Sequence, residues 1–455
     1  MIYTGIQIVG TDNEHSFQPA ERRQLFQFCL YGFLKNQKYF DPFLIIAFMS
    51  KGFSFAAIGI LIGFRAICVN VLEIPSGAIA DVWGRRRCMI ASMAGYISAF
   101  MVFAFAQDYW AFFPAMFCFS IGEAFRTGTH KAMIFDWLTR HNKADQKTRV
   151  YGLTRSWSKL GSSLNSIIAA VIVIVSGNFR WVFLGAAVPY LLNIVNFMFY
   201  PKYLDGEHGE VRSVRRIFST LFSGIRIALF KPGLRNLILE NICFEGTFTV
   251  VKDYIQPLLL AVAFSMPVLI GLDDRARTAL LIGLVFAVIG FAESLASRHS
   301  HWLEKAVSGD VRLTRILWQV SLALYGAMGI SLALGAGIPA VFGFLILHMG
   351  LNVWKPVLVS RFHTRSDLKS SATTLSIANQ GKSISVAFLA PLLGILVDAA
   401  AGAARSSQEA IPLTALWPVA AAGVFASVMG LVINLKGSDR DEQLSTATAD
   451  KRTKR

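Results

Sequence analysis

Residues 316–354 read ILWQVSLALYGAMGISLALGAGIPAVFGFLILHMGLNVW and contain no Asp, Glu, Lys or Arg. A bilayer core takes about 20 apolar residues as helix. The stretch is too long for one crossing and the right length for two. The dividing point is written into it, because Gly335-Ala-Gly-Ile-Pro339 holds the residues that end helices and make turns. Two consecutive membrane helices joined by a short turn are therefore predicted here.

Working outward, further windows free of those four residue types are Cys88–Gln107, Leu160–Phe179, Trp181–Pro201, Ala279–Ala292 and Ala410–Leu435. Spans that carry a few charges are predicted at Leu30–Ser50, Phe55–Ala80, Tyr109–Trp137, Asn236–Phe264 and Thr373–Val397. The expected fold is an all-α membrane protein of twelve transmembrane helices. It divides into a segment 1–29, a six-helix half 30–201, a polar centre 202–235, a second six-helix half 236–435 and a disordered tail 436–455. Within the centre, residues 211–230 (VRSVRRIFSTLFSGIRIALF) alternate Arg with apolar residues, as an amphipathic helix on the membrane surface would.

Composition agrees. Of 455 residues, 54% are hydrophobic and 16% charged, against about a quarter charged in a soluble domain. Mean hydropathy is +0.51. The net charge of +16 does not indicate nucleic acid, because Lys and Arg collect in cytoplasmic loops of membrane proteins. Of the 44 Lys and Arg, only Lys51, Arg180, Arg275, Arg277 and Arg405 fall in the connections opposite the N-terminus. That bias places both termini in the cytoplasm. The five cysteines lie in apolar stretches without a CxxC pair, so core filling is expected rather than a disulfide or a metal. The polar N-terminus lacks the apolar run and cleavage site of a secretory signal.

Between the second and third spans the chain reads EIPSGAIADVWGRRR, residues 73–87. Gly77 permits close helix approach. Asp81 is placed to pair with a base or a helix N-terminus. Gly84 allows a tight turn, and Arg85, Arg86 and Arg87 suit an anionic leaflet. The segment resembles the loop signature of the major facilitator superfamily, Gly-x-x-x-Asp-Arg-x-Gly-Arg-Arg/Lys, with Val82 where Arg is usual. The resemblance implies a conformational latch that holds the outward-facing state and breaks as two halves rock. It also implies that the first, fourth, seventh and tenth helices line a central cavity. Residues 290–298 (GFAESLASR) are a degenerate counterpart that keeps Gly290 and Glu293, as an internal duplication would leave. The Gly-Pro-rich antiporter signature is missing from the fifth span, which reads RSWSKLGSS at 155–163. Gly122 and Arg126 also stand in the reverse of the usual order. These departures argue against drug–proton antiport.

Ionisable groups within spans are costly and mark cavities or mutual pairs. Helical spacing puts Glu123, Arg126 and His130 on one face of the fourth span. It does the same for Glu245, Thr249, Lys252 and Gln256 on the seventh, and for His348, Asn352 and Lys355 on the tenth. Asp41 belongs to the first span, Arg65 and Glu73 to the second, and Asn379 and Lys382 to the eleventh. Arg155, Lys159, Ser162 and Ser166 share a face of the fifth. Each charge has two readings, as a structural pair or as part of a binding and coupling site. Acids within the spans are matched by comparable numbers of Lys and Arg, so no net field for anions or cations is expected. Glu245 and Glu123 are the candidate proton carriers.

No catalytic signature occurs. Gly381-Lys-Ser383 lacks the earlier Gly of a phosphate loop and lies in a span. HExxH and GxSxG are absent, and His299 and His301 read as a solvated loop. Neither cofactor nor metal is expected. The predicted activity is secondary transport of a small organic solute, driven by a proton gradient, with export favoured over uptake. The site would be the plasma membrane, the inner one in a bacterium, and the transporter a monomer. A non-transporting sensor or scaffold of the same fold is the alternative class.

Overall fold

The computed structural model describes residues 17–205, 232–265, 273–306, 310–365, 371–402 and 411–453, and among them every regular element is helical. The amphipathic segment predicted at 211–230 lies outside the described residues. Helix α1 (Pro19–Leu34) starts well before the predicted span. Proline suits its first turn, and a capping box closes it, with the Gln18 amide donating to Glu21 Oε2 at 2.7 Å. Glu21 Oε2 also meets Lys143 Nζ at 2.5 Å. Burial opposes ionisation of Glu21, but the hydrogen bond and charge of Lys143 outweigh it and hold the carboxyl below its ordinary 4.5. A depressed carboxylate stabilises the fold above its unfolded pKa and stops doing so as pH falls through the folded one. Glu21→Gln is therefore expected to lower the thermal midpoint at pH 7. The gap to the parent should close as pH drops below 4.5. A gap that is constant with pH would count against the pair.

After α1 the chain leaves helical geometry at 35–40. It resumes as a 3-10 turn, Asp41–Phe43, and α2 (Leu44–Met49). Irregular backbone at membrane depth must have its polar groups satisfied by protein. Here backbone turns do part of it, Asn36 N donating to Phe33 O at 3.3 Å and Gln37 N to Leu34 O at 3.1 Å, while side chains tie the break to the rest of its half. Asn36 Nδ2 donates to the carbonyls of Gly32 and Ser158, both at 2.9 Å. Gln37 Nε2 donates to Gly161 O at 3.1 Å, and Tyr190 Oη to Lys35 O at 3.2 Å.

Next come α3 (Phe55–Trp83), α4 (Arg85–Phe105), α5 (Phe112–Arg126), α6 (Thr129–Arg140), α7 (Lys147–Ser176) and α8 (Arg180–Met198). The fourth span is also interrupted, at Thr127-Gly128, where Gly128 has φ +79°, a backbone that favours glycine. The second half holds α9 (Pro232–Asn241), a π-helical turn Ile242–Gly246, α10 (Thr247–Val251) and α11 (Ile255–Ser265). It continues with α12 (Asp274–Ala306), α13 (Asp310–Ala333), α14 (Gly337–Arg365), α15 (Ser371–Ala401) and α16 (Trp417–Thr453).

By length and apolarity, ten segments among the described residues can cross a membrane. The places of the first and fourth predicted spans are taken by the two interrupted helices. Helices also outrun the apolar windows, since α7 begins at Lys147 and α12 ends at Ala306. The tail predicted to be disordered instead continues α16 to Thr453. Beyond Gly437 it has neither Gly nor Pro and is supplied with Ala, Glu, Gln, Lys and Arg, all good helix formers.

The halves meet through α3 against α15 and α7 against α12. Contact is closest at the end carrying residues 41–57. A Cβ on Gly394 would stand 2.2 Å from Phe55 O, and one on Gly59 would stand 2.3 Å from Ala390 O. Glycine here brings backbone against backbone. The outer surface is apolar, with Val175 81% and Phe388 74% exposed, as a lipid-facing surface requires and a water-facing one does not.

Candidate functional site

The glycine-arginine segment sits where α3 turns into α4. Gly84 has φ +103°, and a Cβ there would fall 2.9 Å from Asp205 Oδ1. The positive φ favours glycine, while the second contact is with a side-chain tip that can shift. Asp205 occupies the N-terminus of α4, accepting from the Arg86 amide at 3.0 Å, and its Oδ2 lies 3.6 Å from Arg86 Nε. An anion at this position meets the positive end of the helix dipole. Arg85 Nη1 lies 3.9 Å from Asp136, and Arg85 Nη2 3.5 Å from Asp81. Asp81 itself is 57% exposed, Arg87 is exposed, and nothing lies within 4 Å of a Cβ on Gly77. Among the described residues, this cluster is bonded only within its own half. Seven residues before Gly77, Asn70 Nδ2 donates to Gln380 O of the second half at 3.2 Å.

At the opposite end the halves are tied. Gln256 Oε1 accepts from the Ile45 amide at 2.8 Å, and its Nε2 donates to Asp41 O at 3.0 Å. It thus satisfies the broken backbone of the first span, a task different from the cavity lining predicted for it. The Asp41 side chain is exposed. Asp398 Oδ1 and Oδ2 accept from the Phe55 and Ala56 amides at 3.1 and 2.8 Å. A carboxylate from α15 therefore caps the N-terminus of α3 in the other half. Neither Asp205 nor Asp398 was singled out from the sequence. Each lies more than 100 residues from its partner, and only proximity in the fold reveals the bond.

Between these ends lie the intramembrane charges. Arg65 Nε approaches Glu123 Oε2 at 4.0 Å, joining the second and fourth spans. Arg126 Nε donates to Tyr96 Oη at 3.3 Å. The break at Thr127-Gly128 ends the helical register that grouped His130 with Glu123. The His130 ring is buried, its centroid 3.9 Å from that of Tyr31, with Nε2 3.2 Å from Tyr200 Oη. Glu73 is half-buried, and the charges acting on it are Lys382 and Glu123.

In the second half Glu245 is the centre. It sits on the π-helical turn, with Oε2 3.4 Å from Lys382 Nζ and Oε1 4.0 Å from Lys355 Nζ. The seventh, tenth and eleventh spans are thereby brought to one carboxylate. His348 Nδ1 lies 3.1 Å from Glu293 Oε1 on α12, so the acid of the degenerate second motif is engaged. Asn352 Nδ2 donates to His348 O at 3.0 Å. Asn379 is exposed. Lys252 is 3.3 Å from the adjacent Asp253. The predicted stripe on the seventh span is thus divided, with Glu245 facing two lysines and Gln256 bound to the first span. No grouping of His, Cys, Asp and Glu able to hold a metal occurs among the described residues.

Comparison with known proteins gives consistent results. The sequence profile described as Major Facilitator Superfamily matches residues 27–391. The chain is 23% identical over 278 residues to the "Uncharacterized MFS-type transporter YxaM" of Bacillus subtilis (strain 168), covering 55% of this chain and 59% of that protein. It is 22% identical over 287 residues to "Multidrug resistance protein MdtH" of Yersinia pestis (strain Pestoides F), covering 62% and 65%. Each match thus spans less than two thirds of the relative. Among solved structures, the nucleoside transporter NupG superposes with a TM-score of 0.66 at 13% identity, covering 92% of this chain and 97% of that one. The peptide transporter POT in complex with sulfate gives 0.65 at 14% identity, covering 92% and 94%. Likeness this distant shows the shared fold alone.

Proposed function

Since the chain belongs to the major facilitator superfamily, we propose that it is a proton-coupled secondary transporter that exports a small organic solute by alternating access of two six-helix halves. The observation that carries this reading is the asymmetry between its two ends. The halves are bonded through Gln256 and Asp398 at one end, while the motif cluster at the other is bonded within its own half. With the positive-inside bias, the motif end is cytoplasmic, the arrangement is inward-open, and twelve spans cross the cytoplasmic membrane. Export follows from the naming of one relative as a multidrug resistance protein, although the fifth span lacks the antiporter signature.

Glu245 is the coupling group in this reading. Its carboxylate is shared between Lys382 and Lys355. A proton taken up by Glu245 frees both ammonium groups, and a proton released recaptures them. Proton occupancy is thereby converted into the availability of two cations facing the cavity.

The test compares solutes retained by cells with and without the chain, in the presence and absence of a proton-gradient uncoupler. At least one solute is expected to be depleted in an uncoupler-sensitive way, and Glu245→Gln should abolish that difference, since a positioned proton-transfer group is worth about 10²–10⁴-fold in rate. A difference that survives both the uncoupler and Glu245→Gln would remove Glu245 as the coupling site. No solute difference at all would argue for the sensor or scaffold alternative.

A further inference from the structure

Charges that balance in number within the spans do not balance in place. A cavity of about 460 Å³ opens between the first, fourth and fifth spans, within the size range of small-molecule sites. Lys35, Arg126, Lys131, Arg155 and Lys159 line it, and none of its seventeen lining residues is acidic. Among the described residues none of the five forms an ion pair with a carboxylate. The charges acting on Lys35 are those of Arg126, Lys38 and Arg155, all cations. Acids do reach the edge of the cluster, but each is engaged elsewhere. Glu123 acts on Arg126 and is met by Arg65. Glu293 acts on Lys159 from the facing half and is bound to His348.

Two features organise this field. Arg155 and Lys159 are one helical turn apart on α7, so both heads project from one face. Arg126 is held at the edge of the fourth-span break by Tyr96 Oη. Phe28, Tyr31, Ile134 and Tyr151 give the remaining wall an aromatic and apolar part, beside small and polar residues such as Thr154 and Ser158. Like charges gathered in a cleft with low-dielectric walls focus their field and concentrate counter-ions. Guanidinium and ammonium groups together suit a carboxylate or phosphate oxygen.

From this we infer that the basic cavity between the first, fourth and fifth spans is the solute site, and that the solute is an amphiphilic organic anion, its carboxylate or phosphate held by Arg155, Lys159 and Arg126 and its apolar part by Tyr31 and Tyr151. The inference rests on the transporter reading above and names the substrate class for it.

Binding is measured on the purified full chain in a neutral detergent with three probes of one shape, 1-naphthoate, 1-naphthyl phosphate and 1-naphthamide. Both anions are expected to bind at least tenfold more tightly than the amide, with affinity falling as salt rises. Arg155→Gln and Lys159→Gln remove exposed side chains, so the fold is spared, and each should weaken anion binding about tenfold while leaving the amide unchanged. Equal binding of amide and anions, or full anion binding by the Arg155→Gln, Lys159→Gln double variant, would overturn the assignment. Displacement of naphthoate by equimolar phosphatidylglycerol would overturn it too, by giving the pocket to a lipid headgroup. Transport of the same probes into sealed vesicles separates the two readings. Naphthoate that binds with the expected selectivity but is never moved leaves the anion site standing and overturns transport. Preferential movement of the amide leaves transport standing and overturns the anion site.

Discussion

Glu240→Ala is expected to be the most destabilising single substitution discussed for this chain, at about 3–5 kcal/mol. Glu240 and Arg361 form a salt bridge at 2.7 Å with side chains 2% and 3% exposed. A second contact runs from Arg361 Nη2 to Glu240 Oε1 at 3.5 Å. Arg361 Nη1 also donates to Thr314 Oγ1 at 3.3 Å, and Asn434 Nδ2 to Glu240 Oε1 at 3.4 Å. One ion pair thus ties α9, α13, α14 and α16 together. Removing one partner leaves an uncompensated charge in the interior, which is far worse than never having had the pair. Arg361→Met should therefore be about as harmful as Glu240→Ala. The double variant Glu240→Met, Arg361→Met should recover most of the loss, because apolar side chains of similar volume often replace a buried pair at little cost. Thermal or denaturant unfolding in detergent reads all three. Single variants within about 0.5 kcal/mol of the parent, the range of ordinary surface changes, would show that the pair is dispensable.

Gly394→Val is expected to change which state the protein occupies rather than whether it folds. A Cβ at this position would stand 2.2 Å from Phe55 O and 2.5 Å from the Phe55 carbonyl carbon. Backbone cannot move aside as a side-chain tip can, so α3 and α15 must separate at that end. Overpacking costs about 1–3 kcal/mol, and each 1.4 kcal/mol is about tenfold in an equilibrium. In the alternating-access reading the cost falls only on the state closed at this end, because the opposite state does not bring these backbones together. A shift of about tenfold or more toward opening at this end is the expected result. Spin labels at Ser50 and Thr414, exposed sites in the two halves near this end, would report it as a new, longer distance. An unchanged distance distribution from folded Gly394→Val would contradict the shift.

The long helices were readable from charge-free windows, because lipid leaves little freedom in how spans are written. Glu245, Lys355 and Lys382 were placed on three separate spans, but spacing within each span could not say that one carboxylate meets both lysines. Three things were hidden, each for a physical reason. The break at 35–40 is anchored by Asn36 and Gln37 donating to carbonyls of α7 more than 100 residues away, which local propensity does not reveal, while the break at 127–128 had only the single Gly128 to mark it. Arg361 lies beyond the charge-free window that ends at Trp354, and nothing local links it to Glu240, 121 residues away, with which it is buried. Counting charges over whole spans concealed the basic cavity, since the acids that balance Lys35, Arg155 and Lys159 in number sit on other walls.

The five-residue turn at Ile242–Gly246 has a mechanical meaning. A π turn accommodates one residue more than an α turn would at the same place, and such turns cluster at working parts of helices. Relaxing it to α geometry would swivel everything beyond it by roughly 100°. Glu245 lies on the turn itself, and Gln256, which fastens the far end to Ile45 and Asp41, lies eleven residues downstream on the same span. With Glu245 as the coupling group proposed above, the seventh span would act as a crankshaft, with an ionisable handle at one end and a bolt at the other. A change in what the handle holds has a direct route to drawing the bolt.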